Sequence, residues 1–359
     1  MSESINWWNL KLGEQHKNYL NNAFDSKKLS YNSIGTSLEK KIADLFEVKH
    51  CLLTTSGSTA LLVALKSMDI GPSDEVIIPN RTFQATANAV CFAGATVKIA
   101  DVNLHDGLIN AAHIEKLISS KTKAILPVHL NGRGCEMKII SDMAKKHGLF
   151  LIEDTAQAFM SCFQNKFLGT FGDVGCFSLG VTKFMTTGQG GFLITNSDKI
   201  YENAKNYIFH AASGDSVKKF SEFGFNFRLS DLLSSLALAD MENIDKKRQK
   251  YLEIYQLYSE KIKNCNSVSL IPSNIESGEF PIWIEVLCEA RDKLFNYLKA
   301  NGIESVKSYP SLNRSEYLKH QNLQFPNSKI FEDNGLILPC GPDITFEQIN
   351  VVAQKVCSF

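Results

Sequence analysis

The sequence predicts an α/β protein whose sheet is mainly parallel and covered by helices on both faces. Between residues 38 and 196, short apolar runs typical of strands alternate with helical patterns, and this alternation indicates β-α-β units. After residue 228 the pattern changes to a long helical stretch without glycine or proline, and from about residue 267 to a smaller α+β segment. We therefore expect a large α/β domain over residues 1–245 and a smaller α+β domain over residues 246–359.

Runs of β-branched and aromatic residues predict the strands, and apolar residues three or four positions apart predict the helices. The strands are predicted at Cys51–Thr54, Glu75–Ile78, Thr96–Ala100, Lys123–Val128, Leu149–Glu153, Val174–Ser178 and Phe192–Thr195. The helices between them are predicted at Leu38–Phe46, Thr59–Met68, Gln84–Ala93, Ala111–Ser119 and Met137–His147. In the C-terminal part we expect one helix over Leu229–Lys263, a strand near Phe280–Leu287, and helices near Ala290–Asn301 and Phe346–Val356.

Composition argues against several classes of protein. Lys+Arg and Asp+Glu both total 38, so the net charge is zero, whereas a nucleic-acid binder normally carries a basic excess. No apolar run approaches the roughly 18 residues that span a bilayer, and residues 1–8 do not resemble a signal peptide. The nine cysteines form no CxxC pair and the eight histidines form no cluster. We therefore expect buried free thiols, a cytoplasmic location and no metal site.

The first candidate site lies where a strand meets a helix, in the segment Thr54-Thr55-Ser56-Gly57-Ser58-Thr59. The free N–H groups and the positive dipole end of a helix start attract anions, and Gly57 lets the backbone approach such an anion closely. Simple capping of the helix by serine or threonine explains the same residues. Phosphate binding and capping both remain open from this segment alone.

A second candidate is the apolar strand Leu149–Glu153, which is followed by Asp154 and Gln157. Open α/β sheets place their ligands at this end of the strands, and a carboxylate there is costly unless a cation or donors pair with it. Capping of the next helix by Asp154 is the alternative, although it leaves Gln157 unexplained.

A third candidate follows the strand Val174–Ser178, where Lys183 stands five residues after Ser178 among apolar and small neighbours. Removing an ammonium group from water disfavours its charged form, which makes Lys183 a candidate amine nucleophile. An ordinary solvated loop lysine is the alternative.

Together, the three segments provide what pyridoxal phosphate requires: an anion cradle, an aspartate that keeps the pyridine nitrogen protonated, and a lysine that forms a Schiff base. The chain resembles the DegT/DnrJ-type nucleotide-sugar aminotransferases, which are fold-type I pyridoxal phosphate enzymes, along essentially its whole length. Besides residues 54–61, the matching segments are residues 82–89, 127–132, 153–158, 171–178, 224–229 and 336–339 with Thr345.

The resemblance implies a catalytic role for Lys183 and a set of cofactor-binding residues. They are Lys183 for the Schiff base, Asp154 for the pyridine nitrogen, Gln157 for the phenolic oxygen, Phe83 for stacking on the ring, Gly57, Ser58 and Ser178 for the phosphate, and Asn226 for the phosphate in the neighbouring subunit. Because Asn226 crosses over, the resemblance also implies a homodimer with shared active sites.

The resemblance further implies a substrate, a nucleotide-linked keto sugar, and L-glutamate as the amino donor. The run Thr187-Gly188-Gln189-Gly190-Gly191 looks more like the C4 branch of the family, which makes perosamine- or viosamine-type sugars for surface polysaccharide. A C3-specific aminotransferase and a non-catalytic regulatory protein that binds the cofactor are the alternatives. The resemblance places Gly35, Thr36, Arg228 and Tyr309 on the substrate side of the site. For Gly35, Thr36 and Tyr309, an ordinary loop without a binding role is the alternative.

Three positions depart from the family pattern. Ser58 stands where threonine is frequent, the segment before Lys183 lacks an aromatic residue, and Ala211 stands where glycine is frequent. These departures affect the expected sugar rather than the cofactor. A dehydrating branch of the family has histidine in place of the lysine, so Lys183 argues against that branch.

Overall fold

The computed structural model describes residues 4–211, 223–318 and 324–359. The helices are α1 (Glu14–Asp25), α2 (Ser33–Phe46), α3 (Gly57–Ser67), α4 (Ala85–Ala93), α5 (Ala111–Leu117), α6 (Met137–His147), α7 (Asp198–Ile208), α8 (Asp231–Glu242), α9 (Ile244–Ile262), α10 (Arg291–Ala300), α11 (Pro326–Asn334) and α12 (Phe346–Ser358). The strands are β1 (His50–Thr54), β2 (Glu75–Pro79), β3 (Thr96–Ala100), β4 (Thr122–Ile125), β5 (Phe150–Asp154), β6 (Cys162–Phe163), β7 (Lys166–Phe167), β8 (Val174–Ser178), β9 (Gly191–Thr195), β10 (Ser269–Leu270), β11 (Ile284–Leu287), β12 (Val306–Lys307) and β13 (Gly335–Leu338).

A seven-stranded sheet with the order β1-β9-β8-β5-β4-β2-β3 forms the centre of the molecule. The pairs from β8 across to β3 are parallel, and β9 runs antiparallel to both of its neighbours. The central strands of this sheet are buried along nearly their whole length, as expected where helices cover both faces of a sheet. The prediction of an α/β fold with a mainly parallel sheet is confirmed.

The strand register brings three of the candidate segments together at the end of the sheet where the parallel strands have their carboxyl ends. Gly191 at the start of β9 pairs with both Thr54 and Ser178. Asp154 at the end of β5 pairs with Cys176 of the parallel strand β8. Since the carboxyl ends of parallel strands line the ligand-binding edge, the topology alone brings these segments together.

The second sheet, β10-β11-β13-β12, is antiparallel and comes wholly from the C-terminal part of the chain. The N-terminal segment joins this part, because Ile5 pairs with Ile303 and the carbonyl of Trp7 accepts a hydrogen bond from the N–H of Cys340. The first residues thus pack with the smaller half, although we predicted them as part of the large domain. The predicted boundary after residue 245 falls within the first turn of α9 and stays a prediction.

Two sequence-based expectations are wrong in detail. The single helix expected over Leu229–Lys263 is two helices, α8 and α9, separated by Asn243, whose φ of −120° is not helical. The side-chain amide of Asn243 donates to Oε1 of Gln15 on α1, a contact with a distant part of the chain that periodicity does not reveal. Buried free thiols were expected throughout, but Cys265 and Cys357 are joined in a disulfide, and the free thiol of Cys91 is exposed rather than buried.

Several elements had no clear sequence signal, among them α1, α7, α11 and the two-residue strands. In the described parts of the chain, no helix is long and apolar enough to cross a membrane. The same residues contain no group of three or more His, Cys, Asp or Glu side chains that could hold a metal ion.

Candidate active site

Lys183 lies in the turn that follows β8, where its backbone N–H donates to the carbonyl of Gly180 over 3.0 Å. Its side chain is partly buried, and its Nζ lies 5.1 Å from the ring centroid of Trp283. Burial lowers the pKa of Lys183 to about 8, although the carboxylate of Asp154 opposes the shift. A substantial fraction of the neutral, nucleophilic amine therefore exists near neutral pH.

Asp154 is 4% exposed at the end of β5. Its Oδ2 accepts a hydrogen bond from Oγ1 of Thr86 over 2.8 Å, and its Oδ1 accepts one from the N–H of Ala156 over 3.1 Å. Burial raises the pKa of Asp154, while these two donors and the charge of Lys183 oppose the rise. A carboxylate in such surroundings gains strongly from a cation placed against it.

At the start of α3, helix capping and anion binding use different residues of the segment Thr54–Thr59. Oγ of Ser56 caps the helix by accepting from the N–H of Thr59 over 3.1 Å. In the described residues, no acceptor pairs with the N–H groups of Gly57 and Ser58. Capping therefore uses Ser56 and leaves the next two N–H groups for an anion.

The cradle depends on two glycines that let α3 approach the sheet. A Cβ on Gly57 would lie 2.8 Å from Cβ of Ser178, and a Cβ on Gly191 would lie 2.5 Å from the backbone nitrogen of Gly57. Both distances are too short for real side chains. The helix start, Ser178 and the beginning of β9 can therefore meet only because both positions lack a side chain.

Gln157 is buried next to the loop that follows β4. Its Oε1 accepts a hydrogen bond from the backbone N–H of Asn131 over 3.0 Å. Since the carbonyl oxygen of the amide is engaged in this way, the amide nitrogen is the group left to donate to a ligand.

Phe83 has a 49% exposed ring and stands three residues before Thr86, which binds Asp154. The ring centroid of Phe83 lies 5.5 Å from that of Tyr309. Burial raises the pKa of Tyr309 to about 12, so its hydroxyl remains protonated in the neutral range. Phe83 and Ser58 also line a common cavity of about 380 Å³.

Asn226 and Arg228 flank the start of α3, because the carbonyl of Phe227 between them accepts from the N–H of Thr55 over 2.9 Å. The side chain of Asn226 is exposed, and its Oδ1 accepts from Nε of Arg228 over 2.8 Å. The guanidinium of Arg228 lies over the ring of Phe209 at 5.6 Å. The role predicted for Asn226 across a dimer interface stays a prediction.

Gly35 and Thr36 lie at the start of α2 next to Tyr31, whose ring contacts Phe209 at a centroid distance of 5.2 Å. The buried carboxylate of Asp231 accepts hydrogen bonds from the N–H groups of Asn32, Ile34 and Gly35, so the N–H of Gly35 is already engaged. Thr36 lines a surface cavity of about 650 Å³ that Tyr31 and Lys40 also border. Within the described residues, no hydrogen bond joins Gly35 or Thr36 to Lys183, and their substrate role stays a prediction.

The residues at the sheet edge fit pyridoxal phosphate. The two open N–H groups at α3 suit its phosphate, and the buried Asp154 suits its pyridinium nitrogen. Lys183 combines partial burial with a lowered pKa, as a lysine that binds an aldehyde requires. The sequence indicated these residues by their local patterns and by the family resemblance, and the structure brings their elements to one end of the sheet.

Thr86 offers a test of the Asp154 site. Replacing Thr86 with valine removes the donor to Oδ2 without changing the shape of the side chain. We expect the pKa of Asp154 to rise further, and binding of pyridoxal phosphate to weaken roughly 10- to 100-fold, since a hydrogen bond to a charged group contributes about 1.5–3 kcal/mol. Spectrophotometric titration of the cofactor-free protein measures this change. Thr86→Ser retains the hydroxyl and should bind nearly as the native protein does; equal binding by both variants would contradict the role.

The fold and this arrangement of lysine, aspartate and helix start define a pyridoxal phosphate enzyme of fold type I. The chain belongs to the DegT/DnrJ/EryC1/StrS aminotransferase family, whose model matches residues 11–357.

Two relatives and one solved structure illustrate the family. GDP-perosamine synthase of Caulobacter vibrioides is 34% identical over 306 residues, which are 82% of this chain and 81% of the relative. UDP-N-acetyl-3-dehydro-alpha-D-glucosamine 3-aminotransferase of Acidithiobacillus ferrooxidans is 31% identical over 332 residues, which are 90% of this chain and 87% of the relative. DesV of S. venezuelae has a TM-score of 0.94 at 25% identity and covers 99% of this chain and 98% of its own. The chain is a pyridoxal phosphate-dependent sugar aminotransferase.

Sequence reasoning missed three residues that contact the predicted site. Thr86 and Asn131 lie inside segments that match the family, but their side chains received no role. Trp283 carried no signal, because nothing in its neighbourhood indicates that the start of β11 reaches Lys183.

Proposed function

We propose that this enzyme transfers the amino group of L-glutamate to C4 of a nucleotide-linked 4-keto-6-deoxyhexose. The product would be a 4-amino-4,6-dideoxy sugar of the perosamine or viosamine type, made in the cytoplasm for surface polysaccharide such as O-antigen. The observation that carries the proposal is the 34% identity to a GDP-perosamine synthase.

In this proposal, each residue of the site has a defined task. Pyridoxal phosphate, when bound, supplies a ring that withdraws electrons from the carbon that carries the amino group. Asp154 keeps the ring nitrogen protonated, the N–H groups of Gly57 and Ser58 neutralise the phosphate, and Phe83 covers one face of the ring. Nζ of Lys183 takes and returns the proton at the reacting carbon, as a general base and acid with a pKa near the working pH.

The glycine run Thr187–Gly191 lends less support to the C4 position than its resemblance implies. Gly191 is needed for the close approach of α3, and Oγ1 of Thr187 donates to the carbonyl of Gln189 over 2.8 Å. Both contacts shape the cofactor cradle, so an enzyme acting at C3 would need them as well. Identity to the 3-aminotransferase is 31%, which makes the C3-specific enzyme the second candidate.

The test incubates purified enzyme and L-glutamate separately with dTDP- and GDP-linked 4-keto-6-deoxy sugars, and identifies the products by mass spectrometry and NMR. A nucleotide-linked 3-keto sugar is incubated in parallel. We expect one of the 4-keto sugars to be aminated at C4, with no product from Lys183→Ala. Amination of a 3-keto sugar would show the C3 enzyme instead. A protein that binds the cofactor, yet keeps its yellow colour when glutamate is added and aminates no sugar, would be the regulatory alternative.

A homodimer with shared active sites makes a separate prediction for Asn226. Lys183→Ala and Asn226→Ala should each be nearly inactive as homodimers. After complete subunit exchange, half of the dimers are mixed, and each contains one site with both native residues, so activity should recover to about a quarter of the native value. Mixing Asn226→Ala with the double variant should restore nothing. A fully active monomer in dilute solution would contradict the prediction.

A further inference from the structure

The loop over residues 130–134, which follows β4, packs closely against the segment over residues 279–285. The side chain of Asn131 binds the backbone of Trp283. A Cβ on Gly132 would lie 1.9 Å from the carbonyl oxygen of Phe280, so glycine permits this contact. The loop therefore lies between the cofactor side of the site and the start of the smaller sheet.

Asn131 connects the two sides through three hydrogen bonds. Its backbone N–H donates to Oε1 of Gln157 over 3.0 Å. Its Nδ2 donates to the carbonyl of Trp283, and its Oδ1 accepts from the N–H of Trp283, both over 2.6 Å. The backbone of Asn131 is left-handed, with a φ of 53°, a conformation that asparagine tolerates better than most residues.

Trp283 presents its ring to the catalytic lysine. The ring is 4% exposed, and Nζ of Lys183 lies 5.1 Å from its centroid. The Trp7 and Trp283 rings also pack edge to face, at a centroid distance of 6.4 Å. An indole face attracts an ammonium group much more than a neutral amine, particularly out of water.

We propose that Asn131 and Trp283 are positioning residues for the aminotransferase reaction: Asn131 orients the amide of Gln157 and holds Trp283, whose ring retains the side chain of Lys183 when that side chain carries a proton. Lys183 must stay near the reacting carbon while it holds the proton, and the indole face offers a resting place without a competing hydrogen bond. The inference rests on the family's cofactor chemistry but not on the identity of the sugar.

The groups around Lys183 define what its titration reports. Asp154 of β5 is the charged group that acts on Lys183, and His129 acts on Asp154 in turn. Both remain in every variant below. A change in the titration of Lys183 therefore reports the loss of the indole face or a shift in its position.

The first experiment measures the pH dependence of Lys183 labelling in full-length protein from which hydroxylamine has removed the cofactor. An amine-reactive acetylating reagent is applied across pH 6–11, and peptide mass spectrometry quantifies acetylated Lys183. The native midpoint is expected at about 8. Trp283→Leu should lower it by roughly 0.5 to 1.5 units, because the ammonium loses its partner, and Trp283→Phe should lower it less. Trp7→Leu removes a neighbouring ring without touching Lys183 and should not change the midpoint.

The second experiment tests Asn131 in the loaded enzyme and in the cofactor-free protein. Asn131→Gly keeps the left-handed backbone and the N–H donated to Gln157, but loses both bonds to Trp283. We expect kcat for the half-reaction with L-glutamate to fall at least 10-fold with little change in KM, and the Lys183 midpoint to fall as in Trp283→Leu. In kcat, Asn131→Asp, which of the two bonds to Trp283 keeps only the acceptor for its N–H, should lie between; its midpoint is not compared, because its added carboxylate itself acts on Lys183.

An unchanged or raised midpoint in both Trp283 variants would overturn the role of the indole ring. A native midpoint and native kcat in Asn131→Gly would overturn the role of Asn131. Thermal denaturation shows whether each variant is folded. If Trp283→Leu does not fold, the Lys183 midpoint of Trp283→Phe decides the role of the ring. Because the midpoints come from protein without cofactor or sugar, they stand even if the proposed C4 substrate is wrong.

Discussion

Replacing Lys183 with alanine should lower turnover by several orders of magnitude while leaving the protein folded. The side chain is only partly buried and forms no hydrogen bond to another described side chain, so little packing is lost. The reaction, in contrast, loses both the group that binds the cofactor covalently and the base that moves the proton. Single-turnover measurements with L-glutamate should detect the loss in the first half-reaction, and circular dichroism should show a native spectrum.

Lys183→Arg is the matched control, because it keeps a cation near Asp154 but offers no nucleophilic amine. It should be as inactive as the alanine variant. Borohydride reduction of the native holoenzyme followed by peptide mapping should place the cofactor on Lys183. The rate of cofactor attachment to the native protein should rise with pH around a midpoint near 8. Labelling of another lysine, or substantial turnover by either variant, would refute the assignment.

Replacing Glu285 with glutamine should destabilise the protein by roughly 3–5 kcal/mol, the usual effect of removing one partner from a buried ion pair. Glu285 in β11 is 6% exposed and pairs with the guanidinium groups of Arg81 and Arg133, the latter over 2.7 Å. Oγ of Ser308 also donates to Glu285, over 3.3 Å. The substitution leaves two buried guanidinium groups without the carboxylate that binds both of them. Urea denaturation followed by fluorescence measures the loss.

The ion pair also makes a prediction about acid stability. Burial alone would raise the pKa of Glu285, but the charges of Arg81 and Arg133 outweigh it and lower the pKa to about 2. An unfolded glutamate titrates near 4.3, so the stabilisation is complete above about pH 4.3 and disappears as the pH falls towards 2. The difference in stability between native protein and Glu285→Gln should shrink over that range.

A surface pair provides the control for Glu285. Lys329 and Asp333 form an exposed pair one helical turn apart, at 2.7 Å, and Asp333→Asn should cost less than about 1 kcal/mol. Similar losses of stability in Glu285→Gln and Asp333→Asn would show that the buried cluster contributes no more than a surface contact.

Most of the large sheet and its site could be predicted because they depend on local patterns. The seven strands of the central sheet are buried apolar runs, and Asp154 and Ser178 end two of them, so order along the chain was enough to expect a shared edge. Gly57 and Lys183 were recognisable because the chemistry demands those residue types at those points.

The contacts that complete the site come from distant parts of the chain and leave no local pattern. Trp283 is 100 residues from Lys183 and 152 from Asn131. The break at Asn243 is equally non-local, since its side chain binds Gln15 on another helix. Periodicity describes a single element, and it does not indicate which elements will be neighbours.

The pairing of Ile5 with Ile303 has a consequence for synthesis of the protein on the ribosome. The two residues are separated by 298 positions, so at about 5–20 residues per second the earlier one waits roughly 15–60 s for its partner. The large sheet can form during that interval, because its strands end at residue 195. Trp7 and Trp8, two and three positions after Ile5, wait somewhat less long, because their rings pack against Trp283 and Tyr251. Chaperones that bind exposed apolar segments of a nascent chain therefore have a long time in which to act on this one.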